Sequence, residues 1–521
     1  MMTAPDPRAT DPRGSLDRHA LAFVGVVTAA RLWFAWVADL ELFGDEAQYW
    51  AWSREPAWGY FSKPPLLAWL IHLSTSVFGD SELAVRAASP LLHAVTALVV
   101  GATARRLHGA RAGFWGAALY ATLPSVSLSS LLISTDVPLL LFWSVALYAW
   151  VRLREGSSPR GRLALTLTLG LAAGFGLLAK YAMVYFWLCV PLSIYASRPN
   201  RAGLAGGSIA EGPIAAGPIA GGPLSAGPLS AGALSARALL AAALSFAVLA
   251  PNLAWNGAHD FVTFHHTATN AGVGAARFRP GAALEFLGAQ LGVIGPVLAV
   301  LWLGWLAKGR LTRTPADRAL VPFQVVPLLI ILPVAFLRRA NANWAATMLP
   351  ALCVQCAALA AFPAARRWLK VAVASSLALA VVALGAAPLG EALGRPLPGQ
   401  LDPWRRLRGG RALALEVTRA LDATPGAGLV SDERMTLAVL AYYLGPEREH
   451  PWSFTPDGAV RHHFDLAWPL RGPNGRTFLF LTRRDAEADL ARTWTRVERR
   501  ADIEVPVAAG MVETYRLYEV E

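Results

Sequence analysis

The chain has 521 residues, of which 55% are hydrophobic and only 16% are charged, and its net charge is +12. Soluble domains usually carry about 25% charged residues, so this composition favours a membrane protein. The surplus arginine lies in short segments between long apolar runs, as in cytoplasmic loops, and we therefore expect no nucleic-acid partner. The cysteines Cys189, Cys353 and Cys356 lie inside apolar runs, and we interpret them as packing residues, with no disulfide or metal site.

The N-terminal tail, residues 1–19, is polar and is expected to be cytoplasmic. The apolar run from Ala20 to Leu40 is too long for a signal-peptide core and predicts a first membrane anchor. A span needs about 20 mostly apolar residues, which gives about eleven spans between residues 20 and 390. The apolar run at 64–78 is shorter and predicts an interfacial or re-entrant helix. The fold class is thus an all-α polytopic membrane domain of about 11 to 13 transmembrane helices.

The loops between the predicted spans alternate in charge. Every second loop is rich in arginine or lysine, which the positive-inside rule assigns to the cytoplasm. The opposite loops hold acids, such as Asp45 and Glu46 in the loop at 41–82 and Asp260 in the loop at 256–283. We therefore expect these two loops to face the periplasm of a bacterial inner membrane.

Two segments interrupt this membrane pattern. Residues 203–236 form a five-residue Gly/Pro repeat that excludes a regular helix, so we predict a cytoplasmic linker over 199–236. From residue 391 onwards the pattern is that of a soluble α/β domain, 391–521, which an odd number of spans places in the periplasm. Its predicted elements are helices over Arg405–Leu421 and Glu433–Leu444 and strands over Gly428–Ser431, Thr477–Leu481 and Glu513–Val520.

The loop after the first span carries the strongest chemical pattern. Asp45 and Glu46 are adjacent acids at a membrane interface, and the sequence Lys63-Pro64-Pro65 follows. A carboxylate in a partly desolvated site can accept a proton from a hydroxyl, and a lysine can bind a phosphate. The many aromatic residues of this loop are also typical of simple anchors at the headgroup level.

These residues carry a resemblance to a known family. The loop resembles the first outer loop of the polyprenyl-phosphate-sugar glycosyltransferases with a GT-C fold, which include lipid A aminoarabinose transferases and relatives of protein O-mannosyltransferases. Further motifs in the same order are similar to those of the family. The matching stretches are Asp45–Tyr49, Gly59–Leu66, Ser134–Pro138, Leu178–Tyr181, Trp255–His265 and Asn343–Trp344.

The resemblance implies roles for individual residues. Asp45, with Glu46 beside it, would be the general base for the acceptor hydroxyl, Asp136 a second essential acid, and Lys63 the ligand of the lipid phosphate. Arg338 and Arg339 violate the positive-inside pattern and are further candidate phosphate ligands. The other expected substrate-binding residues are Tyr49, Tyr60, Lys180, His259, His265 and Asn343.

The chain departs from the aminoarabinose transferases at two positions. Ser62 stands where they have an acid that helps to bind a metal, and Gln48 stands where they have an arginine. We therefore expect no metal ligands and no required cofactor, a divalent metal being the open alternative. The phosphate needs cations from elsewhere in the chain.

The expected function is transfer of a sugar from a polyprenyl-phosphate carrier, in the lipid bilayer, to an envelope acceptor. That acceptor is a lipid such as lipid A, a glycan or a protein. The alternative is a lipid or sugar transporter or flippase, which would place its ionisable groups near the middle of the membrane.

Overall fold

The computed structural model of the protein describes residues 17–197, 229–271, 278–308, 314–337, 339–445 and 447–521. Up to residue 392, the described chain forms helices joined by loops and short 3-10 turns. The helices are α1 Arg18–Val37, α2 Gly44–Arg54, α3 Leu66–Phe78, α4 Glu82–Arg86, α5 Ala88–His108, α6 Ala110–Thr122, α7 Pro124–Ser129, α8 Asp136–Glu155, α9 Pro159–Ala179, α10 Val184–Ala196, α11 Ala231–Ala258, α12 Val262–Ala271, α13 Pro280–Ile294, α14 Pro296–Lys308, α15 Pro315–Leu337, α16 Leu349–Ala357 and α17 Pro363–Ala392. The 3-10 turns are Tyr181–Met183, Ala342–Met348 and Ala358–Ala361.

Fewer helices have spanning length than the hydropathy of the sequence predicts. Among the described residues, eight are long and apolar enough to cross a membrane, or nine if α13 and α14 count as one span bent by 108°. The bend lies at Gly295, whose φ of +89° suits glycine. The predicted span at 112–132 is broken before Pro124, and the one at 181–197 is only a short helix. The run at 64–78 forms the 13-residue helix α3, so the predicted short helix is present.

The predicted linker overlaps the start of α11. Most of the Gly/Pro repeat lies outside the described residues, but its last unit is helical, because α11 begins at Ala231 after the N-cap Ser230. In that unit Ala233 stands where the preceding unit has Pro228. Without the proline, the backbone N–H of Ala233 is free to bond the Ser230 hydroxyl, at 3.3 Å, and the helix can start.

Small residues allow the membrane helices to pack closely. A Cβ added to Gly170 of α9 would lie 2.9 Å from the carbonyl oxygen of Ala241 in α11, and one added to Gly174 would lie 2.6 Å from the Cβ of Val248. Without a hydrophobic driving force between helices in lipid, such close backbone contact is a main source of association.

The C-terminal domain is a six-stranded sheet with helices beside it. A 3-10 turn at Arg405–Leu407 precedes it, and its elements are α18 Gly410–Ala423, β1 Gly428–Ser431, α19 Arg434–Tyr443, β2 Trp452–Phe454, α20 His463–Ala467, β3 Pro469–Leu470, β4 Phe478–Thr482, α21 Glu487–Leu490, β5 Val497–Ala508 and β6 Met511–Val520. The strand order is β3-β2-β1-β4-β6-β5, with β1 parallel to β2 and β4, and β6 antiparallel to β4 and β5. The predicted α/β class is confirmed.

A buried ion pair joins α2 to α4. The Arg86 guanidinium donates to both carboxylate oxygens of Glu46, at 2.9 and 2.6 Å, and both side chains are at most 4% exposed. Glu46 also accepts from the backbone N–H groups of Phe43 and Ile133, and Arg86 donates to the carbonyl oxygen of Leu40. The pair therefore fixes the segment after α1, the first turn of α2 and the segment before α8 to one another.

We predict that Arg86→Ala destabilises the protein, because it leaves the Glu46 carboxylate buried without its countercharge. Breaking such a buried pair costs about 3–5 kcal/mol. Thermal unfolding in detergent should show a clearly lower midpoint. Arg54→Ala, which removes an exposed ion pair with Asp80 in the same loop, should change stability by less than about 1 kcal/mol. Equal midpoints for the two variants would contradict this account.

Candidate active site

The first turn of α2 directs its two acids to different places. Consecutive residues on a helix point about 100° apart, so when Glu46 faces Arg86, Asp45 faces away from it. The Asp45 side chain is about one-third exposed and lines a cavity outside the protein core.

That cavity lies between the first loop, α12 and the C-terminal domain. Its volume is about 280 Å³, and both Asp45 and Lys63 line it. The remaining lining residues are Gln48, Tyr49, Phe61, Ser62, His266, Arg434, Arg461 and His462. The carboxylate and the ammonium that the sequence analysis pairs therefore share one cavity.

Arg434 brings a cation from the C-terminal domain into this cavity. It is the first residue of α19, which packs on α2, and its Nη1 lies 2.8 Å from Oδ1 of Asp45 and 2.9 Å from Oε1 of Gln48. Gln48 is the position where the resemblance leads us to expect an arginine. Here the guanidinium of a residue 386 positions away donates to the Gln48 side chain.

A second acid lies near this cavity at the start of α8. Oδ1 of Asp136 accepts from Nζ of Lys180 at 2.7 Å, and Oδ2 accepts from Nδ2 of Asn343 at 2.7 Å. Three segments that are far apart in the sequence therefore meet at one carboxylate. Lys63 lies within the field of both members of the Asp136–Lys180 pair.

The surroundings of Lys63 destabilise its charged form. Burial lowers its pKa below the ordinary value of 10.5, and the positive charges of Lys180 and Arg434 act in the same direction. Asp136 and Asp45 oppose the shift. An anion placed beside Lys63 would relieve the repulsion between these cations, so the cluster is suited to bind a phosphate.

The comparisons with known proteins agree on one family. A family model described as dolichyl-phosphate-mannose-protein mannosyltransferase matches residues 62–201. The lipid A galacturonosyltransferase of Rhizobium johnstonii is 32% identical over 452 residues, which cover 85% of this chain and 86% of the relative. The chain belongs to the polyprenyl-phosphate-sugar glycosyltransferases.

Two further proteins are similar to this chain. A Pseudomonas aeruginosa undecaprenyl phosphate-alpha-4-amino-4-deoxy-L-arabinose arabinosyl transferase is 38% identical over 23% of this chain and 22% of its own. The crystal structure of ArnT from Cupriavidus metallidurans has a TM-score of 0.65 at 15% identity and covers 96% of this chain and 98% of its own, so the GT-C fold is shared. The glycosyltransferase is a multi-pass membrane protein. The named relatives are transferases and give no support to the transporter alternative.

Not all of the residues expected at the site of this glycosyltransferase reach the cavity. Glu46 is held in its pair with Arg86 and does not line the cavity with Asp45. Tyr60 stacks on Trp52 at 4.8 Å and donates to its carbonyl oxygen, so Tyr60 belongs to the loop's core. Tyr49 does line the cavity, and burial, with the charge of Asp45, raises the pKa of its hydroxyl.

The expected histidines and arginines lie mostly elsewhere. His259 stacks on Trp255 at 4.0 Å, and His265 is exposed on α12, while the neighbouring His266 lines the cavity. Arg339 is 78% exposed and pairs with Glu285, which places it outside the cavity's lining. Arg338 lies outside the described residues.

Four residues that line the cavity lie outside the family motifs in the sequence: His266, Arg434, Arg461 and His462. The last three belong to the C-terminal domain, where arginine is common. The available signal for Arg434 is its place directly after β1, since ligands bind beyond the carboxyl ends of parallel strands. Within the described part of the chain, no group of three or more His, Cys, Asp or Glu residues could hold a metal ion.

We predict that the lowered pKa of Lys63 limits this glycosyltransferase at alkaline pH. The ammonium is charged below its pKa and loses its charge as the pH rises through that value, so kcat/KM for the donor should fall at a pH below 10.5. Lys63→Arg keeps the charge at every accessible pH and should move this limb upwards. An alkaline limb that is identical in the two proteins would show that another group is responsible.

Proposed function

We propose that this enzyme transfers a sugar from a polyprenyl-phosphate carrier to a hydroxyl of a lipid A-like phosphoglycolipid, at the periplasmic face of the inner membrane. The observation that carries the proposal is the single cavity shared by Asp45, Lys63 and Arg434. It supplies a base and fixed positive charge together, which transfer from a lipid phosphate needs. The acceptor class follows the named Rhizobium relative.

The charge at the two ends of the helices supports the periplasmic orientation. Helix α5 begins near the site, shortly after Arg86, and helix α8 begins there at Asp136. Both end in basic turns, with Arg105 and Arg106 in α5 and Arg152 and Arg154 in α8. The positive-inside rule assigns the basic ends to the cytoplasm and therefore the site to the opposite face.

In this mechanism Asp45 acts on the acceptor. The acceptor hydroxyl gives its proton to a carboxylate oxygen of Asp45 while its oxygen forms a bond to the anomeric carbon of the sugar. The bond between that carbon and the phosphate oxygen breaks, and the electron pair stays on the polyprenyl phosphate. Negative charge grows there in the transition state, where Lys63 and Arg434 provide fixed positive charge.

Arg434 and the pair of Asp136 with Lys180 have positioning roles in the proposal. Arg434 donates to Asp45, and the donor phosphate competes with that carboxylate for its guanidinium. Asp136 accepts from both Lys180 and Asn343, and so holds the Lys180 ammonium towards Lys63. Lys63 and Lys180 can then face one phosphate from two sides.

The sugar class is proposed from the Rhizobium relative. In the cavity, Lys63 and Arg434 stand against the one carboxylate of Asp45, while Arg461 is paired with Asp457. The one surplus positive charge matches the single negative charge of a sugar phosphodiester. We propose a uronic acid, the sugar class in the name of the Rhizobium relative.

Asp45→Asn tests the catalytic proposal. The amide cannot accept the proton, so the rate of sugar transfer should fall by about 10²- to 10⁴-fold, while expression, membrane insertion and melting temperature stay unchanged. Transfer from a polyprenyl-phosphate uronic acid to lipid A is measured by mass spectrometry with purified protein. The matched control is Glu55→Gln, because Glu55 is exposed in the same loop. Normal transfer by Asp45→Asn would refute the role of Asp45.

A further inference from the structure

A second and larger cavity lies between the C-terminal domain and the segment that leads into α2. Its volume is about 350 Å³. Its walls are partly apolar, with Phe43 on one side and Leu413, Val439, Val505 and Val507 on the other. Four arginines and one carboxylate also line it, namely Arg405, Arg406, Arg408, Arg483 and Glu513. A cavity with apolar walls and surplus cations suits an anionic amphiphile.

Two of these guanidiniums have no carboxylate partner among the described residues. Arg406 is exposed and makes no hydrogen bond or ion pair with a described residue. Arg405 donates to carbonyl oxygens only, that of Gln400 at 3.1 Å and that of Gly399 at 3.4 Å. Arg408 and Arg483, in contrast, are already neutralised by acidic side chains. The available positive charge is thus concentrated on the turn that holds Arg405 and Arg406.

This turn is fixed at the ends of two membrane helices. Trp404, which precedes it, is buried, and its Nε1 donates to the carbonyl oxygen of Leu384 in α17 at 3.2 Å. The indole also lies 6.2 Å from the ring of Phe34 in α1. Since α1 ends at Val37 and α17 at Ala392, the guanidiniums that follow Trp404 lie near the ends of both helices.

The second cavity adjoins the one that holds Asp45. Gly44 and Met435 line the second cavity. Their chain neighbours, Asp45 in α2 and Arg434 in α19, line the first cavity. The helices touch here so closely that a Cβ on Gly44 would lie 2.5 Å from Sδ of Met435. The two cavities therefore lie on opposite sides of a single contact between α2 and α19.

We propose that the second cavity binds the acceptor, a phosphorylated and acylated glycolipid. Arg405 and Arg406 bind its phosphate at the membrane surface, and the apolar walls cover part of its acyl and sugar surface. The acceptor hydroxyl then extends past the α2–α19 contact to Asp45. This inference rests on the proposed function and adds the site that selects the acceptor. A soluble phosphate compound would leave the apolar walls in contact with water.

The test compares two acceptors and two variants. Full-length protein in nanodiscs of zwitterionic lipid, at saturating donor, is titrated with lipid A and with the same lipid after removal of its phosphates. Arg406→Gln and the double variant Arg405→Gln/Arg406→Gln should each raise the KM for phosphorylated lipid A, by about tenfold or more for the double variant. The donor KM, kcat and the KM for the dephosphorylated lipid should not change. The control Arg419→Gln lies on α18 outside both cavities and should behave as wild type.

Each other result counts against a definite part of the account. An unchanged KM for phosphorylated lipid A in both variants would overturn the acceptor site, and so would an equal rise in KM for both acceptors. Neither result affects the proposed function, as long as the wild-type protein transfers the sugar. In a further measurement, an anionic phospholipid is added to the nanodiscs of the wild-type protein. If it competes with lipid A for Arg405 and Arg406, the cavity is a general lipid site and the proposal fails. No transfer by the wild type to either acceptor would refute the proposed function itself.

Discussion

The buried pair between Glu46 and Arg86 is the interaction on which the site depends. It binds the first turn of α2 to α4 and, through the N–H of Ile133, to the segment that leads into α8. Two ions this deeply buried are tolerated because each finds several hydrogen-bond partners. The pair fixes positions in the site. Because Glu46 is held in place, Asp45 points outward, and the start of α8, with Asp136, is kept close to the first turn of α2.

The residues of the candidate site come from several segments that lie far apart in the sequence. The first loop supplies Asp45 and Lys63, the membrane helices supply Asp136 and Lys180, and the C-terminal domain supplies Arg434. The domain therefore forms one wall of the candidate active site. Its docking also creates the second cavity, so donor and acceptor would meet at one contact between two helices.

The sequence predicts the parts of the structure that local patterns determine. Apolar runs locate most membrane helices, and a short segment in the C-terminal domain locates the strand Gly428–Ser431, which the structure has with the same bounds. The order of motifs is enough to predict that Asp45 and Lys63 share a cavity. The number of spans is less accessible, because breaks at Pro124 and Gly295 depend on packing and backbone geometry that hydropathy does not measure.

The remaining features of the site depend on tertiary contacts. Asp45 and Glu46 look equivalent in the sequence, and only the position of Arg86 decides which of them is buried. Arg434 is one arginine among many in a basic chain, and its role arises from docking across 389 positions. Likewise, His265 and His266 differ only in which face of α12 they occupy.

The central claim is that the donor phosphate binds among cations from both domains, beside Asp45. The most direct measurement is an electron cryomicroscopy structure of the full chain in nanodiscs with polyprenyl phosphate. The account predicts phosphate density within hydrogen-bond distance of Lys63, with Arg434 turned from Asp45 towards the phosphate. Density at another place, with the Asp45–Arg434 pair intact and the cavity empty, would contradict it.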